Sequence, residues 1–247
     1  MFTLCGCALI IIFSFSFLQA QTLEMRQEEA QKLYFKGLEE YRKDNLDAAA
    51  NLFSEALKLN SNYVQAFNNR GLVYLRTRVF DLAISDFSSA LAISKPSVGY
   101  LLNRSNAYYG KGDFAKALED TDRAFEIEPN SFNAWYTRGT IYRRMKDFQK
   151  SIDAYTNAIK VNPHSSAYGA RCLAYYDFGK YEEAAADCSE SILLKPNTAI
   201  SYYYRGLARI KFEQNALAIN DFRKAIEINP NFREAQNELD KLLKMNK

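Results

Sequence analysis

Several residue types that carry chemistry are scarce in this chain of 247 residues. There is one histidine, His164, in the turn after Pro163; it reads as a solvated turn residue rather than the base of a Ser-His-Asp or Cys-His arrangement, and one imidazole cannot build an imidazole-based metal cluster. Only five prolines and ten glycines are present, which leaves little material for long irregular segments. The four cysteines are too few for a disulfide-built scaffold. Charge of one sign is not in excess either. A net charge of +3 argues against the concentrated basic face of a nucleic-acid binder, and none is expected as a partner. After residue 23, no long uncharged run occurs.

The one long uncharged stretch is at the start. No charged side chain occurs from Met1 to Leu23, and Leu4 to Leu18 is almost unbroken apolar sequence. That length suits a secretory h-region and is short for a bilayer span. Leu18-Gln19-Ala20 follows, so residues 1–20 read as a signal peptide cut after Ala20. The expectation is an exported chain, periplasmic or secreted, with a retained leader acting as a membrane tether as the alternative. No Lys or Arg precedes the run. Cys5 and Cys7 lie inside this leader, and cleavage would leave Cys172 and Cys188.

The prolines punctuate a repeat. Pro96, Pro129, Pro163, Pro196 and Pro230 are separated by 33 or 34 residues, each after an apolar stretch such as AFEIEP or AIEINP. Proline just beyond a helix end cannot continue the helix, and a fixed period near this length marks stacked two-helix units. Units numbered from Ala30, Val64, Val98, Phe132, Ser165 and Ala199 align throughout. Position 8 is always small (Gly37, Gly71, Ser105, Gly139, Cys172, Gly206), as are position 20 (Ala49 to Ala218) and position 27 (Ala56 to Ala225). Position 4 is large and apolar: Leu33, Phe67, Leu101, Trp135, Tyr168 and Tyr202. Positions 4, 8 and 11 share one face of a first helix, and 20, 24 and 27 share one face of a second. Small residues let the two backbones approach; large ones fill the space between units. Single hairpins leave an apolar face bare, so stacking is required.

These residues resemble the tetratricopeptide repeat family, most clearly in the fourth unit with Trp135, Gly139, Tyr142, Tyr155, Ala158 and Pro163. The resemblance implies an all-α fold, a right-handed α-solenoid of six stacked helix-turn-helix hairpins. The expected organisation is 21–29 as an extension of the first helix, and 30–232 as six units (30–63, 64–97, 98–131, 132–164, 165–198, 199–232). Residues 233–247 form an amphipathic capping helix.

The resemblance also implies a concave groove lined by positions 5, 9 and 12 of the first helices. Carried over, the lining is Tyr34, Leu38 and Tyr41; Asn68, Leu72, Leu75 and the flanking Arg76; Leu102, Asn106 and Tyr109; Tyr136, Thr140, Arg143 and Arg144; Leu173 and Tyr176; Tyr203 and Leu207. One family groove clamps acidic chaperone tails with Lys at position 5, and no unit here has that lysine. A Tyr- and Leu-rich groove instead suits an extended or helical segment of a partner protein. The competing reading is that these side chains pack between repeats.

Nothing else in the chain suggests chemistry. Gly110-Lys111-Gly112 lacks the spacing and preceding strand of a phosphate loop and reads as an interhelical turn. No catalytic residue, cofactor or metal is expected, and the chain reads as a non-enzymatic scaffold. Arg70, Arg104, Arg138, Arg171 and Arg205 recur at position 7, with aspartate at position 23 in all of these units except the fourth, which has Ala154. This points to structural Arg–Asp pairing rather than an anion ladder. Cys172 and Cys188 stand at positions 8 and 24 of unit five; they form a disulfide if their Cα atoms approach within about 7 Å, and otherwise are two small buried residues.

Overall fold

The computed structural model describes residues 3–245, with side chains from residue 21 onward. The expected leader, residues 1–20, therefore lies outside the described side chains. Among the described residues every regular element is helical, so the fold is all-α. The helices are α1 (Thr3–Arg42), α2 (Leu46–Leu59), α3 (Val64–Arg76), α4 (Phe80–Ile93), α5 (Val98–Lys111), α6 (Phe114–Ile127) and α7 (Phe132–Arg144). They continue with α8 (Phe148–Val161), α9 (Ser165–Asp177), α10 (Tyr181–Leu194), α11 (Ala199–Ile210), α12 (Asn215–Ile228) and α13 (Arg233–Met245). The chain forms two compact units, Met1–Asp113 and Phe114–Lys247.

Each helix pair is joined and ended by the same local devices. The turn inside a hairpin places one residue in the left-handed region: Asp44, Arg78, Gly112, Lys146, Gly179 and Glu213. Only two of the six are glycine, the residue that adopts this conformation without a Cβ penalty. Second helices end where Asn60, Ser94, Asn162, Lys195 or Asn229 turns extended while its N–H still bonds the carbonyl four residues back. In three cases proline follows directly, and a residue before proline is pushed out of the helical region.

In the N-terminal unit α1 packs on α2 and α3 on α4. In the C-terminal unit α7 packs on α8, α9 on α10, and α11 on α12, with α13 covering α12. A glycine–aromatic contact locks four of these hairpins. A Cβ added to Gly37, Gly71, Gly139 or Gly206 would lie 2.7 Å from a ring carbon of Phe53, Phe87, Tyr155 or Phe222 respectively. The ring of the second helix thus sits flat on the backbone of the first, where any larger residue would collide. The fifth repeat breaks this pattern at both ends at once, with Cys172 facing Cys188. Their sulfurs are at bonding distance, 1.99 Å, and their Cα atoms are 5.4 Å apart.

The recurring arginines are held structurally. Arg70 chelates Asp86 through Nε and Nη2 at 2.8 and 2.7 Å, and Arg171 chelates Asp187 at 2.7 and 2.9 Å. Arg205 donates to Asp221 at 2.7 Å, and Arg209 reaches the same carboxylate. The remaining Nη1 of each crosses to a hydroxyl on the preceding second helix: Ser54 for Arg70, Thr156 for Arg171, Ser189 for Arg205. Each guanidinium therefore ties three helices together. The aspartates are buried, and a bidentate guanidinium is what makes a buried carboxylate tolerable.

A candidate peptide-binding groove

In the N-terminal unit, much of the expected lining is committed to packing. Tyr34, Leu38 and Tyr41 lie against the buried cluster of Ala49, Phe53 and Val73. Leu72 and Leu75 lie against Ala83, Phe87 and Ala107. Leu102 is buried at 7% exposure, so it offers a partner no surface; an apolar residue at a position that elsewhere carries tyrosine or asparagine sinks into the core. The polar members form a chain across three repeats. Asn69 donates to the Tyr34 hydroxyl at 2.8 Å, Asn68 donates to Asn69, and Asn103 donates to Asn68 at 2.9 Å. Arg76 is exposed, pairs with Asp44 at 2.8 Å and lies over the Tyr41 ring. Asn106 is exposed and Tyr109 half-buried.

The C-terminal unit is different, because its expected lining surrounds a cavity of about 360 Å³. Tyr136, Thr140 and Arg143 of α7 form one wall, and Leu173 and Ala170 of α9, with Ile200 of α11, form the other. Gly169 also lines it, at the position of its repeat where neighbours carry Tyr136 and Tyr203; a Cβ there would lie 3.2 Å from Ser191 Oγ. Beneath it lies a row of serine hydroxyls, and Ser191 and Ser201 have no exposed surface. Ser165 donates to the Ser191 carbonyl at 2.9 Å, and Ser191 Oγ is 2.8 Å from Ser201 Oγ. The mouth carries His164, Lys195 and Arg143, and no carboxylate lines it. His164 caps α9, its Nδ1 accepting from the Ser166 backbone N–H, while Arg143 donates to Asp177 at 2.8 Å.

Beyond the cavity the surface continues as aromatic residues. Tyr176 meets Tyr181 and Tyr204 edge-on at 5.3 and 5.4 Å, and Tyr203 packs on Phe232 at 4.9 Å. Leu207 joins Tyr203 against the α12–α13 core, and Arg144 is exposed. Burial pushes the Tyr136, Tyr176 and Tyr204 phenols above their ordinary range. Tyr203 rises to about 12, through burial first and the nearby Glu238 carboxylate second. These hydroxyls are accordingly neutral donors. Among the described residues no group of three or more His, Cys, Asp or Glu side chains is placed to hold a metal ion.

The position list found the cavity's walls and missed its floor. Ser165, Ser191 and Ser201 are absent from it because they occupy positions 1, 27 and 3, outside the columns assigned to the groove. A signal was present: Ser191 and Gly169 both depart from their column within one repeat, where Ala and a larger side chain are usual.

Four stretches match known families: residues 98–131, 132–165 and 199–232 match "Tetratricopeptide repeat" and 37–77 match "TPR repeat", together more than half the chain. Among curated proteins, RNA polymerase II-associated protein 3 of Xenopus tropicalis is 38% identical over 74 residues, 30% of this chain. The Homo sapiens protein of that name is 33% identical over 72 residues, 29% of this chain. The chain spans only 11% of the length of either relative. Among solved structures, the APC/C hetero-tetramer Cut9-Hcn1 aligns with a TM-score of 0.73 at 17% identity, over 93% of this chain and 46% of that one. Pseudomonas aeruginosa pilF aligns with a TM-score of 0.70 at 17% identity, over 87% of this chain and 99% of that one. At such identities the likeness is one of fold.

These relatives correct the export expectation. Proteins named for association with RNA polymerase II point away from a periplasmic or secreted chain. The length of an apolar run signals burial in general and does not by itself fix a compartment. Among the described residues, no helix is long and apolar enough to cross a membrane.

Proposed function

The chain belongs to the tetratricopeptide repeat family, and from that premise we propose that it is a non-catalytic scaffold that holds a segment of a partner protein in the groove of its C-terminal unit. The cavity at Gly169 carries this reading. It is a concavity of about 360 Å³ among first-helix side chains, walled by Tyr136 and Leu173 and continued by Tyr176 and Tyr203. Its size is at the low end of ligand cavities, roughly 300–1,000 Å³. Rigid tyrosines with a polar tip give contact area at small entropic cost. The equivalent face of the N-terminal unit supports binding less, because its tyrosine and asparagine groups already bond one another.

The test is quantitative capture by the full chain and by a variant with Tyr136, Leu173 and Tyr203 changed to alanine, with circular dichroism showing that helix content is retained. The expected result is loss of the captured partner at unchanged helicity. Undiminished capture by the folded variant would remove the groove assignment.

A further inference from the structure

We infer that the partner segment is bipolar: it seats an apolar side chain with an acidic neighbour in the cavity beside α9, and a basic side chain in the hollow between α11 and α13. This rests on the groove reading above and adds the chemistry of the guest. Two hollows of the C-terminal unit share one wall. Ile200 lines the cavity, and Tyr203, one turn further along α11, lines a second hollow of about 400 Å³ against α13. A segment that runs across α11 from the first meets the second.

The cavity asks for a side chain that is apolar to its tip. Tyr136, Leu173 and Ile200 give it apolar walls. The hydroxyls beneath and beside those walls are spent inside the protein. Ser165 donates to the Ser191 carbonyl, Ser191 and Ser201 bond one another, and Thr140 donates to the Tyr136 carbonyl. A guest amide or carboxylate pressed in here would lose its hydration and gain no partner.

The two rims carry opposite charge. No carboxylate lines the cavity; Arg143 is engaged with Asp177 at 2.8 Å, whereas Lys195 is exposed and makes no ion pair among the described residues. The second hollow has Glu234, Glu238 and Asp240 on its wall. Glu238 pairs with Lys241 at 2.6 Å, while Glu234 is exposed and makes no ion pair among the described residues. Lys244 lines the same hollow but lies ten residues along α13 from Glu234, about 15 Å away. Burial first and the Glu238 carboxylate second push up the Tyr203 phenol, in keeping with negative charge facing the shared wall. Rim charges of this kind select the partner and its direction more than they add affinity.

The experiment is selection from a display library of random twelve-residue peptides on the full chain, followed by affinity measurement on synthetic peptides. Enriched peptides are expected to share an apolar residue with an acidic neighbour, and a basic residue further along. Replacing that apolar residue by asparagine should weaken binding about tenfold. Lys195→Glu and Glu234→Lys, both at exposed positions, should each weaken binding by about two- to fivefold. The double variant should instead prefer a peptide with its acidic and basic residues exchanged, a gain that misfolding could not produce. Three results would each overturn the inference: enriched peptides with charge of one sign only, an asparagine peptide that binds as tightly, or a double variant that keeps the parent preference. The groove reading then stands if Tyr136→Ala weakens the enriched peptides, and falls too if that variant binds them unchanged. Failure of any peptide to enrich would overturn both.

Discussion

Arg138 donates to Asp122 of the preceding second helix, whereas Arg70, Arg171 and Arg205 each chelate an aspartate of their own hairpin. The fourth repeat has Ala154 where those aspartates stand, and the carboxylate has moved to the neighbouring helix, at the position that elsewhere carries Ser54, Thr156 or Ser189. The charge balance of the half-buried guanidinium is preserved while the helices it joins change. Asp122 is itself largely exposed, so the pair is worth only about 1 kcal/mol. Asp122→Ala should lower stability to urea by that amount, and Ala154→Asp in the same background should restore it by returning the carboxylate to the usual site. Additive losses from the two changes would show that Arg138 does not exchange partners.

The glycine–aromatic contacts make a second prediction. Gly139→Ala places a Cβ 2.7 Å from the Tyr155 ring, and Tyr155 is buried with its hydroxyl 3.0 Å from Thr140. The ring cannot swing away without breaking that contact. Overpacking of this kind costs about 1–3 kcal/mol. Gly139→Ala combined with Tyr155→Leu should recover part of the loss, because the aliphatic side chain can withdraw. A single Gly139→Ala as stable as the parent chain would mean the two helices can separate freely.

Much of this architecture was legible beforehand. Proline period and the columns of small residues report backbone approach, which side-chain size controls directly, so Gly37, Gly139 and Ala158 read correctly from type alone. The Arg–Asp rule was legible where both members keep their columns. It was not at Arg138, since a carboxylate on the preceding helix is a relation between repeats and the alignment compares positions within them. The cavity was half legible. Tyr136 and Leu173 belong to two columns that the family resemblance assigns to the groove, whereas Gly169 has no side chain to read and Ser191 lies beneath it. Leu102 shows the opposite error: a column assigns a direction, and packing decides how much of the residue remains exposed.

Tyr203 gives a pH prediction. Its phenol ionises near 12 in the folded chain against 10.0 when unperturbed. The folded state therefore favours the neutral form, so this contribution to stability is present in full below pH 10 and is lost as pH rises through 12. Unfolding by urea at a series of alkaline pH values should show stability falling across that window. Tyr203→Phe should reduce the slope by up to one proton. An unchanged slope in the variant would place the alkaline loss on other groups.

The paired cysteines give the last prediction, and it does not depend on where the chain resides. Cys172 and Cys188 stand where four other hairpins have the glycine–aromatic contact, so at that position α9 and α10 are joined by the sulfur bridge instead of a ring on the backbone. Both cysteines are fully buried, and they lie near the cavity: Cys172 is one turn from Gly169, and Cys188 one turn from Ser191. Closing a loop with a sequence separation of 16 stabilises a chain by about 3 kcal/mol in the entropy model. Peptide mapping of protein unfolded without reductant should find Cys172 and Cys188 joined and unlabelled by a thiol reagent. Reduction should then lower stability to urea by about that amount. Labelling of both thiols before any reductant is added would show that the repeat is held by packing alone. In that case Cys172→Gly with Cys188→Phe, which restores the contact of the other hairpins, should be the more stable chain.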